Sequence, residues 1–499
     1  MKERVSIILS KLIYALSADF FIWTIAAIFM RNYYSYNSLA LAGAAVAYIL
    51  LIALMWMLFK KKESFIKKRI RYFTLGFFLL MGIVQIIMIF ILRYTPKYDI
   101  GSLFNGARDW ALTGDFSSYY TYFGMFHNNW GGLVLLRIVF GLANLLGITK
   151  FFFVASLLNS ALSLSSMYLT GSVCGKLYGE RGRIMTYLIY LISLPFYFIA
   201  PAFYTDALSM VFPVLILRLY IAAREHEKPI SRLALFALIG LAAGVGYGIK
   251  ATIAITLIAI ILEAVLFRDF KKYIPLIPIS VIMALVCSVA LNGIIYRHID
   301  RKEAENLRIP ILHWVMMGTT GSGMYKKSEY EFTKSFDDPA ARKDAVAERL
   351  ITRLKTYSFK DYSKLFTTKL NVDFGDGTYG LSDCLGCPHG DDNFFHSFLV
   401  KGGERYDVYK HICTGVLMAI YAVITLSCVL DVIGKNSGCG LLVPRLAILG
   451  LFLFLLFWEA RWRYFSNYVP LLIFLAVAGL EGIFSRIKDW RGSQADSAI

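Results

Sequence analysis

The sequence predicts an all-α polytopic membrane protein with about 12 transmembrane helices, external interfacial helices and a partly helical external loop. Three observations predict it. Of 499 residues, 58% are hydrophobic and only 17% charged, where a soluble chain carries about 25% charged residues; the mean hydropathy is +0.59. The apolar residues come in blocks of about 20, the length a helix needs to cross about 30 Å of hydrocarbon. The basic residues gather in short segments between those blocks. Soluble, disordered, collagen-like and disulfide-scaffold classes are excluded.

Spans fall at about 8–30, 38–59, 73–92, 150–173, 184–203, 206–222, 232–249, 250–267, 273–296, 411–431, 446–458 and 468–485. The basic start reads as part of a retained first span, because Lys11 and Asp19 interrupt the clean apolar run of a cleaved signal. The densely basic stretch KKKESFIKKRIR (60–71) is cytoplasmic by the positive-inside bias, which puts the residues after Leu92 outside. The run 131–146 is the ambiguous one. If it crossed, GKLYGERGR (175–183) and REHEKPISR (224–232) would be external. If it lies in the outer interface, with Arg137 at its middle, those loops, RDFKK (268–272), 435–445 and RIKDWR (486–491) all fall inside. The expected topology is therefore multi-pass in the plasma membrane, with both termini cytoplasmic and the active site external.

Three regions follow. Residues 1–296 form an N-terminal transmembrane domain that includes an external catalytic loop, 93–149. Residues 297–410 form an external subdomain, and 411–499 the C-terminal helices and cytoplasmic tail. Within the subdomain, EYEFTKSFDDPAARKDAVAERLITRLKTYSF reads as one amphipathic helix after a turn, with Ile351, Leu354 and Phe359 on its apolar side. The net charge of +18 would suggest nucleic acid in a soluble protein. Here the excess sits in loops that meet anionic lipid headgroups, and no nucleic-acid-reading motif is present. Membrane lipids are expected partners and nucleic acid is not.

The chemistry gathers on the external side. Asp99 sits just past the third span, Asp109 ten residues on, and Asp115 in a Thr-Gly-Asp turn. A carboxylate against an apolar wall suits a general base. Asp206, in FYTDALSM, and Lys250, in GVGYGIKATIAI, fall at span junctions on the same face and at the same depth. The turn EARWRYFSNYVP adds Glu459, Arg461, Arg463 and Tyr464, whose guanidinium groups can reach phosphate. Two carboxylates, a lysine and arginines at lipid level suit a phosphorylated lipid: cations hold the phosphate while a carboxylate deprotonates an acceptor hydroxyl.

These segments resemble the GT-C superfamily of membrane glycosyltransferases, nearest the protein O-mannosyltransferase and lipid A aminoarabinose transferase group in its Gram-positive variants. The likeness rests on Tyr98-Asp99, Gly106-Ala107-Arg108-Asp109, Thr113-Gly114-Asp115, Tyr122-Phe123 and His127-Asn128-Asn129. It continues in Tyr204-Thr205-Asp206, Gly248-Ile249-Lys250, Glu459-Ala460-Arg461 and Arg463-Tyr464. It implies that Asp99 is the catalytic base or an acid that orients the acceptor, and that Asp206 helps bind donor phosphate or a metal. Lys250 supports the lipid phosphate, and Arg463 and Tyr464, with Arg461, contact the donor. Asp109, His127, Asn128 and Asn129 join the substrate-binding set. The implied reaction is attack by a hydroxyl of an envelope acceptor (glycan, lipid or protein) on the anomeric carbon of a polyprenyl-phosphate sugar donor. These residues specify no cofactor, and a divalent cation, Mg or Mn, is compatible with them. Two departures stand out. Ile100 follows Asp99 where the family often has a second acid, and His127-Asn128-Asn129 replaces the Lys-Pro-Pro of the lipid A branch.

Cys384 and Cys387, with His389 and His396 nearby, admit a disulfide, free thiols or a Cys2His2 zinc site. His313-Trp314 is suited to stacking on a sugar or to an interface belt, and both residues are counted with the substrate set. Asp373 and Asp376 suit a calcium turn or a solvated loop. The competing function is a lipid-linked oligosaccharide transporter or flippase, which needs ionisable residues through the mid-bilayer; a non-catalytic scaffold is a third reading.

Overall fold

The computed structural model describes residues 2–267, 270–390, 392–434 and 441–496. Among them the chain is helical throughout, with one isolated bridge, Tyr94 to His389, and no sheet. Nine described helices are long and apolar enough to cross a membrane, and Ala251–Phe267 and Val443–Phe457 are shorter apolar helices. The protein is a multi-pass membrane protein. One of the nine, Phe151–Ile192, is two helices folded back at Gly179, whose φ of 72° and ψ of −173° leave the helical region. Thr170 Oγ1 therefore lies 3.2 Å from the Tyr190 hydroxyl. A straight helix would separate them by about 30 Å. The second arm unwinds at Ser193, and the short helix Pro195–Phe198 lies between it and Asp206.

The run 131–146 forms the helix Trp130–Leu145 and is not among the helices of spanning length. It packs on Tyr98–Thr113 and meets Pro229–Ile249 where two glycines touch. A Cβ on Gly131 would stand 2.1 Å from the Gly248 carbonyl oxygen. This contact brings residues 127–130 against 247–250.

Ion pairs gather the basic loops at the other end of the bundle. Arg181 pairs with Glu481 and, at 3.6 Å, with Glu63; Lys176 pairs with Glu225. Arg486 meets Asp431 at 2.6 Å. Buried Glu263 accepts the backbone N–H groups of Leu442 and Val443 at 2.7 and 2.8 Å. Of the basic segments read from the sequence, 268–269 and 435–440 lie outside the described residues, as do the side chains of 488–491.

The segment 327–359 corrects one expectation. It is not a single helix: Lys327–Lys334 ends at Ser335, and Pro339–Thr356 starts anew with Asp338 as N-cap and Pro339 in its first turn. Its buried face is Arg342, Val346 and Leu350, packed under Met316. Ile351 and Leu354 are exposed, and Phe359 opens the next helix with 89% of its surface free. The spacing i, i+4 of 342, 346 and 350 defines the face. Arg342 counts as an inward residue because its guanidinium donates to the carbonyls of Phe336, Asn306, Arg308 and Asp337.

The close approach yields a test. Gly131→Ala should destabilise the protein by about 1–3 kcal/mol through overpacking, read as a lower thermal unfolding midpoint in detergent. Gly43→Ala, where nothing lies within 4 Å, should leave the midpoint unchanged or raise it.

Candidate active site

Each central residue sits where a helix is interrupted. Lys250 is the extended residue (φ −149°, ψ 116°) between Pro229–Ile249 and the turn that opens Ala251–Phe267. Asp206 lies in the first turn of Thr205–Glu225, where a helix N-terminus favours negative charge. Arg461, Arg463 and Tyr464 occupy the short turn between Val443–Phe457 and Ser466–Ile487. Asp99 is in the first turn of Tyr98–Thr113.

The structure brings these together. Asp206, 3% exposed, holds the Lys250 ammonium at 2.6 Å and Arg463 Nε at 3.1 Å. Arg463 Nη1 donates to Asp383 at 2.9 Å, and its guanidinium lies 4.8 Å from the Tyr204 ring centroid. The Lys250 ammonium lies 4.2 Å from the Tyr464 ring centroid. Asp99 is exposed and accepts the Tyr122 hydroxyl at 3.1 Å; Asn129 in turn donates to that hydroxyl at 2.7 Å. Burial pushes the Lys250 ammonium below its ordinary value, with Asp206 opposing. Burial also raises Glu459, against the pull of Arg461 and Arg463.

Two cavities flank this cluster. The first, about 360 Å³, is walled by Trp130, Trp314, Trp458 and Tyr464, with Lys250, His127, Asn128 and Arg308 supplying polar groups. It reaches Tyr247, Leu291 and Phe454 on the apolar helices. The second, about 260 Å³, is lined by Lys97, Asp99, Tyr204, Asp383, Arg461 and Arg463.

Two of the residues grouped from the sequence stay outside. Asp109 pairs with its neighbour Arg108 at 2.8 Å and lines neither cavity. Ten residues of helix carry it about 15 Å from Asp99 and onto another face. His313 is buried, with Nδ1 2.6 Å from Thr333 Oγ1. Trp314 lines the first cavity; adjacent helical residues point about 100° apart, so the pair cannot share a wall.

Asp383 and the pair Lys369–Asp373 escaped the sequence reading of the site. Asp383 directly precedes Cys384, in a segment without periodicity. Lys369 donates to the carbonyls of Gly318 and Trp458, and Asp373 accepts the Arg461 N–H at 2.8 Å. Burial pushes Lys369 down to about 8 and pushes Asp373 up. This pair fixes the turn that carries the arginines. Asp376 accepts from Thr378 within its own turn, so the motif is a buried, self-satisfied loop. The thiols of Cys384 and Cys387 are free, and neither belongs to a metal-binding group among the described residues.

The fold and the cluster define an integral membrane protein with an ionic site at the loop-bearing end of a helical bundle. The chain belongs to the conserved hypothetical integral membrane protein family, which it matches over residues 5–482. No curated protein matches it in sequence. Among solved structures it is similar to the crystal structure of ArnT from Cupriavidus metallidurans bound to undecaprenyl phosphate. The identity is 12%, over 82% of this chain and 78% of that chain, with a TM-score of 0.36. The apo structure of the same protein gives 12% identity, the same coverage and a TM-score of 0.35.

Two histidines make stability depend on pH. Burial pushes His127 and His313 down to about 4 from 6.5. Both are neutral in the fold, whereas the unfolded chain binds protons at the ordinary imidazole value. Between about 4 and 6.5 the unfolded state thus holds more protons, and stability is lost as pH falls through that window. The thermal midpoint should drop between pH 7 and 5, and His127→Gln should flatten the slope.

Proposed function

We propose that the protein is a membrane glycosyltransferase that moves a sugar from a polyprenyl-phosphate-linked donor to a hydroxyl of an envelope acceptor on the outer face of the membrane. The single observation that carries this reading is the Lys250–Asp206–Arg463 cluster, set between an aromatic cavity that reaches the apolar helices and a polar cavity that holds Asp99. A lipid-linked sugar enters the first cavity from the side, its chain along Tyr247 and Leu291. Indole faces offer the apolar surface that a pyranose ring stacks on, and Lys250 meets the phosphate. The acceptor hydroxyl occupies the second cavity.

The chemistry then balances. Asp99 takes the hydroxyl proton, the acceptor oxygen bonds to the anomeric carbon, and the bond from that carbon to the phosphate oxygen breaks. The lipid phosphate leaves with the electron pair, and Lys250, Arg461 and Arg463 stabilise the developing charge in a site shielded from water. Asp206 keeps two of these cations desolvated yet charged. Its carboxylate is already shared by two cations and does not fit a divalent ion as well, so no step runs through a metal.

The test uses the purified full chain with short-chain polyprenyl-phosphate sugars labelled in the sugar, and envelope extract as acceptor. Labelled product and free lipid phosphate should appear together. Asp99→Asn should lower turnover by about 10²- to 10⁴-fold, the usual contribution of a general base. Its thermal midpoint should hold, because the side chain is exposed. Equal turnover in the variant removes the base assignment; no turnover with any donor removes the reading.

A further inference from the structure

A second group of side chains lies in the segment 387–396, apart from the reaction just described. His389, Asp392 and His396 each bring one ligand atom to within 4.8 Å of the other two. The segment is anchored to the end of the Glu63–Ile91 helix. The Thr95 N–H donates to the Pro388 carbonyl at 2.7 Å, His389 bridges Tyr94, and the Asn393 amide donates to the Ile91 carbonyl at 2.9 Å. Asn393 caps the helix Phe394–Leu399, which places His396 in its first turn. The two imidazole rings stack with centroids 3.9 Å apart.

Hydrogen bonding decides which nitrogens are offered. His389 Nδ1 lies 2.9 Å from the Cys387 carbonyl, which only accepts, so Nδ1 carries the proton. Its Nε2 faces a carboxylate oxygen of Asp392 at 2.7 Å, a separation that a shared proton or a bound cation fills. A proton on Nε2 would satisfy those two alone and would set a charged ring against the stacked His396. An ion uses all three groups. A ring N–H held by a backbone carbonyl, with the other nitrogen facing outward, is how ligating histidines are oriented. His396 Nδ1 accepts the Asn393 N–H at 3.1 Å, so it carries a lone pair; a metal on that atom would replace this hydrogen bond.

We infer that His389, Asp392 and His396 form a zinc-type site, with a fourth position for water. Imidazole donors select this class of ion over Mg or Ca. Tetrahedral bonds of about 2.0 Å set ligand atoms about 3.3 Å apart, which the present separations bracket. The site is not the Cys2His2 set that the spacing of Cys384 and Cys387 admits: a carboxylate replaces both thiols, which are buried. Asp392 is 85% exposed, so the ion exchanges with solvent. Once bound, it staples the 387–396 segment to residues 91–95, just ahead of Asp99.

The test is independent of glycosyl transfer. Full-length, tag-free protein in detergent is stripped with chelator and titrated with Co2+, and the visible ligand-field absorption is read. One equivalent should bind and be displaced by Zn2+, and the metal should raise the thermal midpoint. The double variant His389→Ala/His396→Ala should lose the absorption. Asp392→Asn, a change at an exposed side chain that leaves the fold intact, should weaken Co2+ binding. Absence of uptake, or uptake unchanged in both variants, overturns the inference.

Discussion

One buried carboxylate organises the loop-bearing end of this protein. Asp206 is shared by the Lys250 ammonium and Arg463 Nε, and the three side chains come from three distant parts of the chain. Removing two cations from water costs several kcal/mol each unless an anion and further hydrogen bonds replace the lost solvation. Asp206 and Asp383 supply that replacement. Without Asp206 the buried Lys250 ammonium would lose the carboxylate that pairs with it.

The surrounding structure serves this arrangement by holding irregular backbone still. Lys250 is extended between two helices, Asp206 opens a helix, and the arginines lie in a turn. Backbone of this kind at membrane depth persists only where it is buried in protein or lines a cavity. Asp373 takes up the Arg461 N–H, and Lys369 takes up the carbonyls of Gly318 and Trp458. The segment 311–374 is thus a structural part of the site. Its helices fasten the arginine turn from one side, while the glycine contact of residues 131 and 248 fastens Lys250 from another.

Much of the site was legible in the sequence because ionisable residues at span junctions are rare and the positive-inside bias assigns them a side. Asp99, Asp206, Lys250 and the Arg461–Tyr464 turn could be grouped that way. Asp383 could not, because it lies in a segment with neither periodicity nor a boundary to give it a depth. Helical phase separates the remaining misplacements. Asp109 shares a helix with Asp99 on another face, and His313 adjoins Trp314 yet points toward Thr333.

By itself the sequence determined the class of protein, its helices and the end at which its charges gather. Those properties follow from local composition: the length of apolar runs, the residues that interrupt them and the bias of the short loops. Tertiary structure alone decided which charges pair and that Arg342 faces inward. It also decided that Asp392 joins His389 and His396 in place of the cysteines. The charge pairs and the contacts of Arg342 to Asn306 and Arg308 depend on groups far apart in the chain meeting at hydrogen-bond distance, and no pattern within one segment encodes such a meeting.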